Sequence, residues 1–434
     1  MEKIIVLDFG SQYSHLICRR IREFSVYAEL VPYDISPEEL KKMNPIGIIF
    51  SGGPSSVYND DAPKPDKELF NFGLPLLGIC YGHQLIVNEF GGKIKRANKE
   101  YGSSLLSMDK NSGLFDDIGE SIRAWMSHGD EAEEIPLDFE VIGHTENSHA
   151  AAIANTDRTI FGIQFHPEVV HTERGTDILR NFVMNVCKSK QEWTMEGFVD
   201  KTVKEISKIE GNVLCGVSGG IDSTVAALLI HKAVGNRLTG VFVDNGLLRL
   251  DESKEIENMF KDNFSLNFHR IDASEKFLSE LKGITDPEQK RKIVGEEFVR
   301  VFSDFAKENG PFKWLAQGTL YPDVIESGVS KGPAAVIKSH HNVGGLPDWL
   351  NLKILEPLRE LYKDEVRDVA RILGVPEKLL KRHPFPGPGL SVRIIGEITP
   401  SKLAICRKAS KIVEDELWDA GVYDKVWQAY AAVG

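Results

Sequence analysis

The stretch "GVSGGIDSTVAALLI", residues 216–230, joins the apolar run "NVLCGV" (212–217) to an apolar helical run. Strand, glycine-rich turn and helix in immediate succession mark a parallel α/β unit with an anion cradle at the helix start. Glycines let successive N–H groups turn toward one anion, and the helix adds the positive end of its dipole. Ser218, Gly219, Gly220, Ile221, Asp222, Ser223 and Thr224 make up the loop and first turn, with hydroxyls at 218 and 223 as further donors. The Gly-Lys-Ser/Thr ending of a Walker A loop is missing. With it goes the lysine that serves the β- and γ-phosphates in terminal phosphoryl transfer. Asp222 repels phosphate. It either holds Mg²⁺ or fixes the loop, and the sequence leaves both open. The plainer alternative is a glycine-rich turn in which Asp222 or Ser223 only caps the helix.

Around this loop the second half alternates strand and helix patterns. A helix at about 196–209 precedes it. "LTGVFVD" (238–244), "NFHRID" (267–272) and "FKWLAQG" (312–318) read as strands, with helices at about 251–261 and from Asp286-Pro287 to about 308. Residues 327–350, rich in Gly, Ser, His and Pro, read as a mobile loop and candidate lid carrying Lys338, His340 and His341. A helix at about 361–373 follows, then "RHPFPGPGL" (382–390), and Thr399-Pro400 caps a final helix to about 419. The first half alternates as well: strands "KIIVLDF" (3–9), "VYAELV" (26–31), "IGIIF" (46–50) and "PLLGIC" (75–80), with a capping box at Ser36-Pro37-Glu38-Glu39. After Gly91-Gly92 the pattern becomes strand-rich to about 165, and a helix covers about 174–188. "KSKQEWT" (188–194) reads as a linker. The expected class is α/β, with two doubly wound, mostly parallel sheets.

The chain of 434 residues is long for one core. With 64 acidic and 52 basic residues its net charge is -12, which disfavours a non-specific nucleic-acid binder. The N-terminus has too short an apolar core for a signal peptide, and no run approaches the roughly 18 apolar residues of a membrane span. Five widely spaced cysteines do not form a disulfide framework, so a reducing cytoplasm is expected. Cys18, Cys187, Cys215 and Cys406 sit in apolar helix or strand contexts and read as packing.

Cys80 differs. Gly78-Ile79-Cys80-Tyr81-Gly82 places it between small residues at a strand-to-helix junction. Such an elbow forces a nucleophile onto a strained turn, and the helix N-terminus favours the thiolate. "TIFGIQFHPEV" (159–169) delivers His166 and, two residues on, Glu168. A thiol nucleophile needs a base, and the base needs an orienting acceptor. "FSGGP" (50–54) offers the Gly52 and Gly53 amides to a developing oxyanion, beside the amide of Tyr81.

With "SGGP", "GICYGHQ" and "FGIQFHPE", residues 1–188 resemble the class I glutamine amidotransferases. The resemblance implies that Cys80 attacks the side-chain amide of glutamine, that His166 serves as base then acid, and that Glu168 orients it. Gln84 becomes a substrate contact. The S-G-G-x-D-S loop resembles that of the N-type ATP pyrophosphatases over residues 189–390. This implies that the loop holds the β- and γ-phosphates together as a leaving group. "VDNG" (243–246) would lie near the adenosine part, and "QGTLYPDVIES" (317–327) would complete the site, with Asp323 and Glu326 as possible Mg²⁺ partners.

The two halves in this order, with "KRKIVGEEF", "IKSHHNVGGLP", "EPLRELYKDEVR" and "RHPFPGPGL", resemble the glutamine-hydrolysing GMP synthases. That resemblance implies adenylation of xanthosine monophosphate (XMP) by ATP with Mg²⁺, then displacement of AMP by ammonia. Lys290, Arg291 and Lys292 lie on one predicted helix. Arg291 is the candidate for the XMP phosphate, against a solvated basic face. "SHGD" (127–130) fits the family, with His128 and Asp130 structural or interdomain. The family's small α+β C-terminal domain, which completes the XMP site and supports a homodimer, is matched only over about residues 391–434. The alternative is another adenylating amidoligase such as a glutamine-dependent NAD synthetase, which resembles this chain only in the pyrophosphatase half.

Overall fold

A computed structural model describes residues 1–109, 112–328 and 352–434. The expected lid residues Lys338, His340 and His341 lie outside the described residues, as does the side chain of Glu326. The chain divides into two compact units, Met1–Thr194 and Met195–Gly434.

In the first unit, the strands β1 (Lys3–Asp8), β2 (Tyr27–Pro32), β3 (Gly47–Phe50) and β4 (Leu76–Ile79) pair in parallel. Their central residues are apolar and buried, as a sheet covered on both faces requires. Helices α1 (Ser14–Arg22), α2 (Pro37–Met43) and α3 (Tyr81–Glu89) form the crossovers. The expected box at α2 forms: the Ser36 hydroxyl accepts from the Glu39 amide at 3.2 Å. The strand-rich stretch becomes β5 (Lys93–Met108), β6 (Ser121–Glu134), β7 (Phe139–His144), β8 (Ala152–Asn155) and β9 (Ile160–Ile163). β5 and β6 are longer than their sequence suggests, because they pair with each other as a two-stranded arm. The sheet order is β2-β1-β3-β4-β9-β8-β7-β5-β6. Its β2 to β9 half is parallel and the rest is antiparallel. Helix α4 (Gly175–Asn181) closes the unit, and Trp193, within the stretch read as a linker, is buried against Tyr27 at 4.7 Å between centroids.

The second unit opens with α5 (Met195–Ile206) and contains β10 (Val213–Gly216), α6 (Ile221–Val234), β11 (Leu238–Asp244), α7 (Glu252–Phe264) and β12 (Phe268–Asp272). It continues with α8 (Ser274–Glu280), α9 (Pro287–Asn309), β13 (Trp314–Ala316) and α10 (Tyr321–Gly328). The five-stranded sheet, β12-β11-β10-β13-β14, is parallel throughout. Its edge strand β14 (Lys353–Leu355) carries only three residues, too few for a periodic signal. Helices α11 (Lys363–Ile372), α12 (Glu377–Leu380) and α13 (Pro400–Asp419) follow. Asp286 and Thr399 cap α9 and α13 through the amides of Gln289 and Lys402. From β10 the chain runs outward to β11 and β12, then returns to β13 on the other side of β10. Strand order reverses at β10, so a crevice opens outside its C-terminal end.

Candidate active sites

In the first unit three neighbouring strands end together. β3 runs into Gly52 and Gly53, β4 into Cys80, and β9 toward His166. Parallel pairing sets Ile79 beside Ile163, and the Cys80 amide continues the ladder to the Ile163 carbonyl at 2.7 Å. Cys80 itself has φ +52°, an uncommon backbone conformation for a residue with a side chain. Small neighbours make it possible: a Cβ on Gly78 would lie 2.4 Å from the Gly82 carbonyl, and one on Gly82 would lie 2.5 Å from that of Phe50.

Cys80, His166 and Glu168 are brought together and buried. His166 Nδ1 meets Glu168 Oε1 at 2.7 Å, and its ring hydrogen-bonds the Cys80 side chain. Burial disfavours the imidazolium, but the Glu168 carboxylate and the bonds to Cys80 and Glu168 outweigh it and raise the His166 pKa well above the usual range. A Cβ on Gly52 would lie 3.0 Å from the imidazole and 3.6 Å from the cysteine Cβ, so that main chain lines the reacting pair. The Tyr81 amide opens α3, where first-turn amides have no intrahelical partner. Gln84 is buried and donates to the Asp130 carbonyl at 3.0 Å and to Gln164 Oε1 at 3.4 Å.

Other residues reach this site without a sequence signal. Gln164 Nε2 donates to the Cys80 sulfur at 3.7 Å, and the Cys80 thiol faces the Ser127 carbonyl at 3.6 Å. Thr172 donates to the His166 carbonyl at 2.6 Å and accepts from the Trp125 amide at 3.0 Å. His128 is buried against Glu100 at 3.2 Å, a structural contact. His83, behind the elbow on α3, has its pKa pushed down to about 3 by burial and by His128, so it stays neutral. Burial raises the pKa of Cys187, Cys215 and Cys406, which suits packing rather than reaction.

In the second unit the loop from Ser218 to Thr224 closes the β10 crevice. Gly219 has φ +78° and no room for a side chain, since a Cβ would sit 2.2 Å from Ile256 Cδ1. Gly220 is the N-cap of α6. Ser223 Oγ accepts from the Ser218 amide at 3.1 Å, and Thr224 Oγ1 donates to the Gly220 carbonyl at 2.9 Å. From across the crevice Gly318 packs on the main chain of Asp222 and Ser223. Ser218, Gly219, Gly220, Ile221 and Asp222 wall a cavity of about 700 Å³, which leaves room for a triphosphate above the loop. Asn245, from "VDNG", shares the wall.

Lys363 at the start of α11 places its ammonium 2.6 Å from both carboxylate oxygens of Asp222. Of the two readings open for Asp222, this geometry favours fixing the loop over presenting a ligand to Mg²⁺. Among the described residues no group of three or more His, Cys, Asp and Glu side chains could hold a metal ion. Asp323 is exposed on α10.

Arg291 does not join the site. Its side chain is exposed and pairs with Glu288 at 3.0 Å, one turn back on α9, and it lines neither the loop cavity nor the cavity beside it. Lys290, read as part of a solvated basic face, is instead buried. That second cavity, of about 490 Å³, shares Arg249, Glu252, Arg382 and His383 with the first. Arg393 also lines it. Its guanidinium is buried over the Phe385 ring at 5.0 Å and the Tyr430 ring at 4.4 Å. Among the described residues no carboxylate lies within ion-pair reach of it. Burial and the neighbouring Arg249 pull its pKa below the usual guanidinium value, as expected where a cation awaits an anion.

Residues 5–186 match the model of the class-I glutamine amidotransferase family, and residues 193–301 match that of NAD synthase. The chain is 52% identical over 434 residues to a glutamine-hydrolysing GMP synthase of Brachyspira hyodysenteriae, covering 99% of this chain and 84% of that protein. It is 49% identical over 435 residues to that of Clostridium tetani, covering 100% and 85%. A solved GMP synthase structure from Thermoplasma acidophilum is 33% identical with a TM-score of 0.38; the match covers 43% of this chain and 94% of that one. The NAD synthase match stops within the second half, whereas the GMP synthases align from end to end. The chain belongs to the family of glutamine-hydrolysing GMP synthases.

Proposed function

We propose that the chain converts XMP to GMP, consuming glutamine, ATP and water and releasing glutamate, AMP and pyrophosphate. It is a ligase that forms a C–N bond with glutamine as amido donor. The observation that carries the reading is the pairing, in one chain, of a buried thiol–imidazole–carboxylate row at the β4 and β9 ends with an open glycine loop at the β10 switch point.

In this reading the Cys80 sulfur attacks the glutamine side-chain carbonyl carbon. The Gly52, Gly53 and Tyr81 amides receive the oxyanion, and Gln84 contributes to the substrate pocket through its bonded scaffold. The imidazolium of His166 protonates the leaving nitrogen and ammonia departs. Neutral His166 then takes a proton from the water that cleaves the thioester. Glu168 keeps the ring oriented throughout.

In the second unit, amides of the Ser218–Thr224 loop grip the β- and γ-phosphates. The xanthine O2 attacks the α-phosphorus and pyrophosphate leaves with the electrons of the α–β bridging bond. Ammonia adds at C2 and AMP departs. Mg²⁺, bound with ATP, would neutralise phosphate charge. Lys363 and Arg367, both on the wall of the loop cavity, offer further positive charge there. Arg393 and Arg249, not Arg291, are our candidates for the XMP phosphate. Residues 1–188, 189–390 and 391–434 are proposed as amidotransferase, adenylation and C-terminal parts, the last contributing to a homodimer. We place the protein in the cytoplasm. Among the described residues no helix is long and apolar enough to cross a membrane.

Incubation with XMP, ATP and ammonia, followed by mass analysis of the nucleotides, tests the reading. GMP and AMP are expected; ADP in place of AMP would contradict the loop's role.

A further inference from the structure

Lys290 sits in the first turns of α9 and is only 1% exposed. A buried ammonium is costly unless fully bonded. Here it donates to three main-chain carbonyls: Ser391 at 3.2 Å, Ile394 at 2.7 Å and Gly396 at 2.6 Å. Among the described residues no carboxylate lies within ion-pair reach of it. The three acceptors end a short 3-10 turn, Gly389–Arg393, where carbonyls lack partners of their own and a cation is favoured.

The turn is tied from other sides too. The Leu390 amide donates to the Leu247 carbonyl at 2.7 Å, and the Ile395 amide to that of Val433 at 2.7 Å. Arg393 lies between these ties, and its side chain lines the second cavity. Among the described residues, Lys290 is the one side chain that gathers carbonyls from both sides of Arg393.

We propose that Lys290 is a positioning residue for the nucleotide: its carbonyl-bound ammonium fixes the turn that aims Arg393 into the second cavity. This rests on the reading of Arg393 as a phosphate partner. Lys290 never touches the nucleotide. It sets where the guanidinium stands before binding, so its loss lowers affinity through disorder of the turn.

The test uses the full chain, with XMP binding followed by calorimetry and amide exchange followed by mass spectrometry. Lys290→Met should weaken XMP binding roughly tenfold. Exchange should quicken at residues 390–395 while the β10 amides keep their protection. Lys290→Gln, which keeps two donors and no charge, should show a smaller loss of the same sign. Arg393→Ala should weaken binding at least as much as Lys290→Met. If both Lys290 variants bind XMP like the parent while Arg393→Ala does not, the positioning role is wrong and the phosphate site stands. A lower thermal midpoint with unchanged XMP affinity of the folded protein would equally reduce Lys290 to a structural residue. If Arg393→Ala binds XMP like the parent, the phosphate site fails, and the role of Lys290 fails with it.

Discussion

At the β4–α3 junction the chemistry is carried by a side chain, and at the β10–α6 junction it is carried by the main chain. Both are strand-to-helix turns at the C-terminal edge of a parallel sheet. At the first, a non-glycine residue takes the positive φ, and glycines two residues either side make space for it. At the second, the glycine itself takes the positive φ and the loop opens onto a cavity. A covalent nucleophile must be held at one point against a base. A departing pyrophosphate has charge spread over many oxygens and is better met by a row of amides. One geometry thus serves either task, depending on which residue is strained and which is bare.

The strongest test of this contrast is Cys80→Ala. It should lower glutamine-dependent GMP formation by about 10⁴-fold and leave ammonia-dependent formation near the parent rate. Steady-state assays with each nitrogen source would decide it, and equal loss with both would mean the thiol has another task.

Next come the glycines. A methyl on Gly78 meets a backbone carbonyl, whereas one on Gly219 meets the tip of Ile256. Gly78→Ala should therefore destabilise the first unit by about 3 kcal/mol or more, as overpacking against an unyielding neighbour does. Gly219→Ala should cost about 1–2 kcal/mol, mainly from its left-handed backbone, and should recover partly when combined with Ile256→Ala. Denaturant titration of each variant gives the numbers; a larger cost at Gly219 would reverse the assignment of rigid and yielding neighbours.

The smallest effect concerns charge. The His166 pKa is raised in the fold. Its stabilising contribution is therefore full below the unfolded imidazole value of about 6.5 and is lost as pH rises through the folded value. We expect its NMR signal to remain that of an imidazolium at pH 8 and to become neutral there in Glu168→Gln. The fall in thermal stability toward alkaline pH should be shallower in that variant. An unchanged signal would show that Glu168 is not what holds the charge.

The parts legible in the sequence are local. Cys80 with its glycines, the His166 and Glu168 pair, the loop at Ser218–Ser223 and the caps at Ser36, Asp286 and Thr399 each complete a pattern within a few residues. What stayed hidden is long-range. Lys363 finds Asp222 across 141 positions, and Lys290 finds its carbonyls across more than 100. A run of Lys-Arg-Lys reads as a wet surface because charge is normally solvated, and only the tertiary fold reveals that its first member is bonded inside. The length of β5 and β6 escaped for the same reason, since each finds its partner in the other.

β6 touches the thiol side through the Ser127 carbonyl and the imidazole side through Trp125, which accepts from the His166 amide at 3.1 Å and donates to Thr172. A third strand, outside both reacting elements, therefore acts as a spacer block between sulfur and ring. Sliding that hairpin arm along its own axis would reset the gap without altering a single reacting atom, so an enzyme of this design could be throttled from the far tip of the arm.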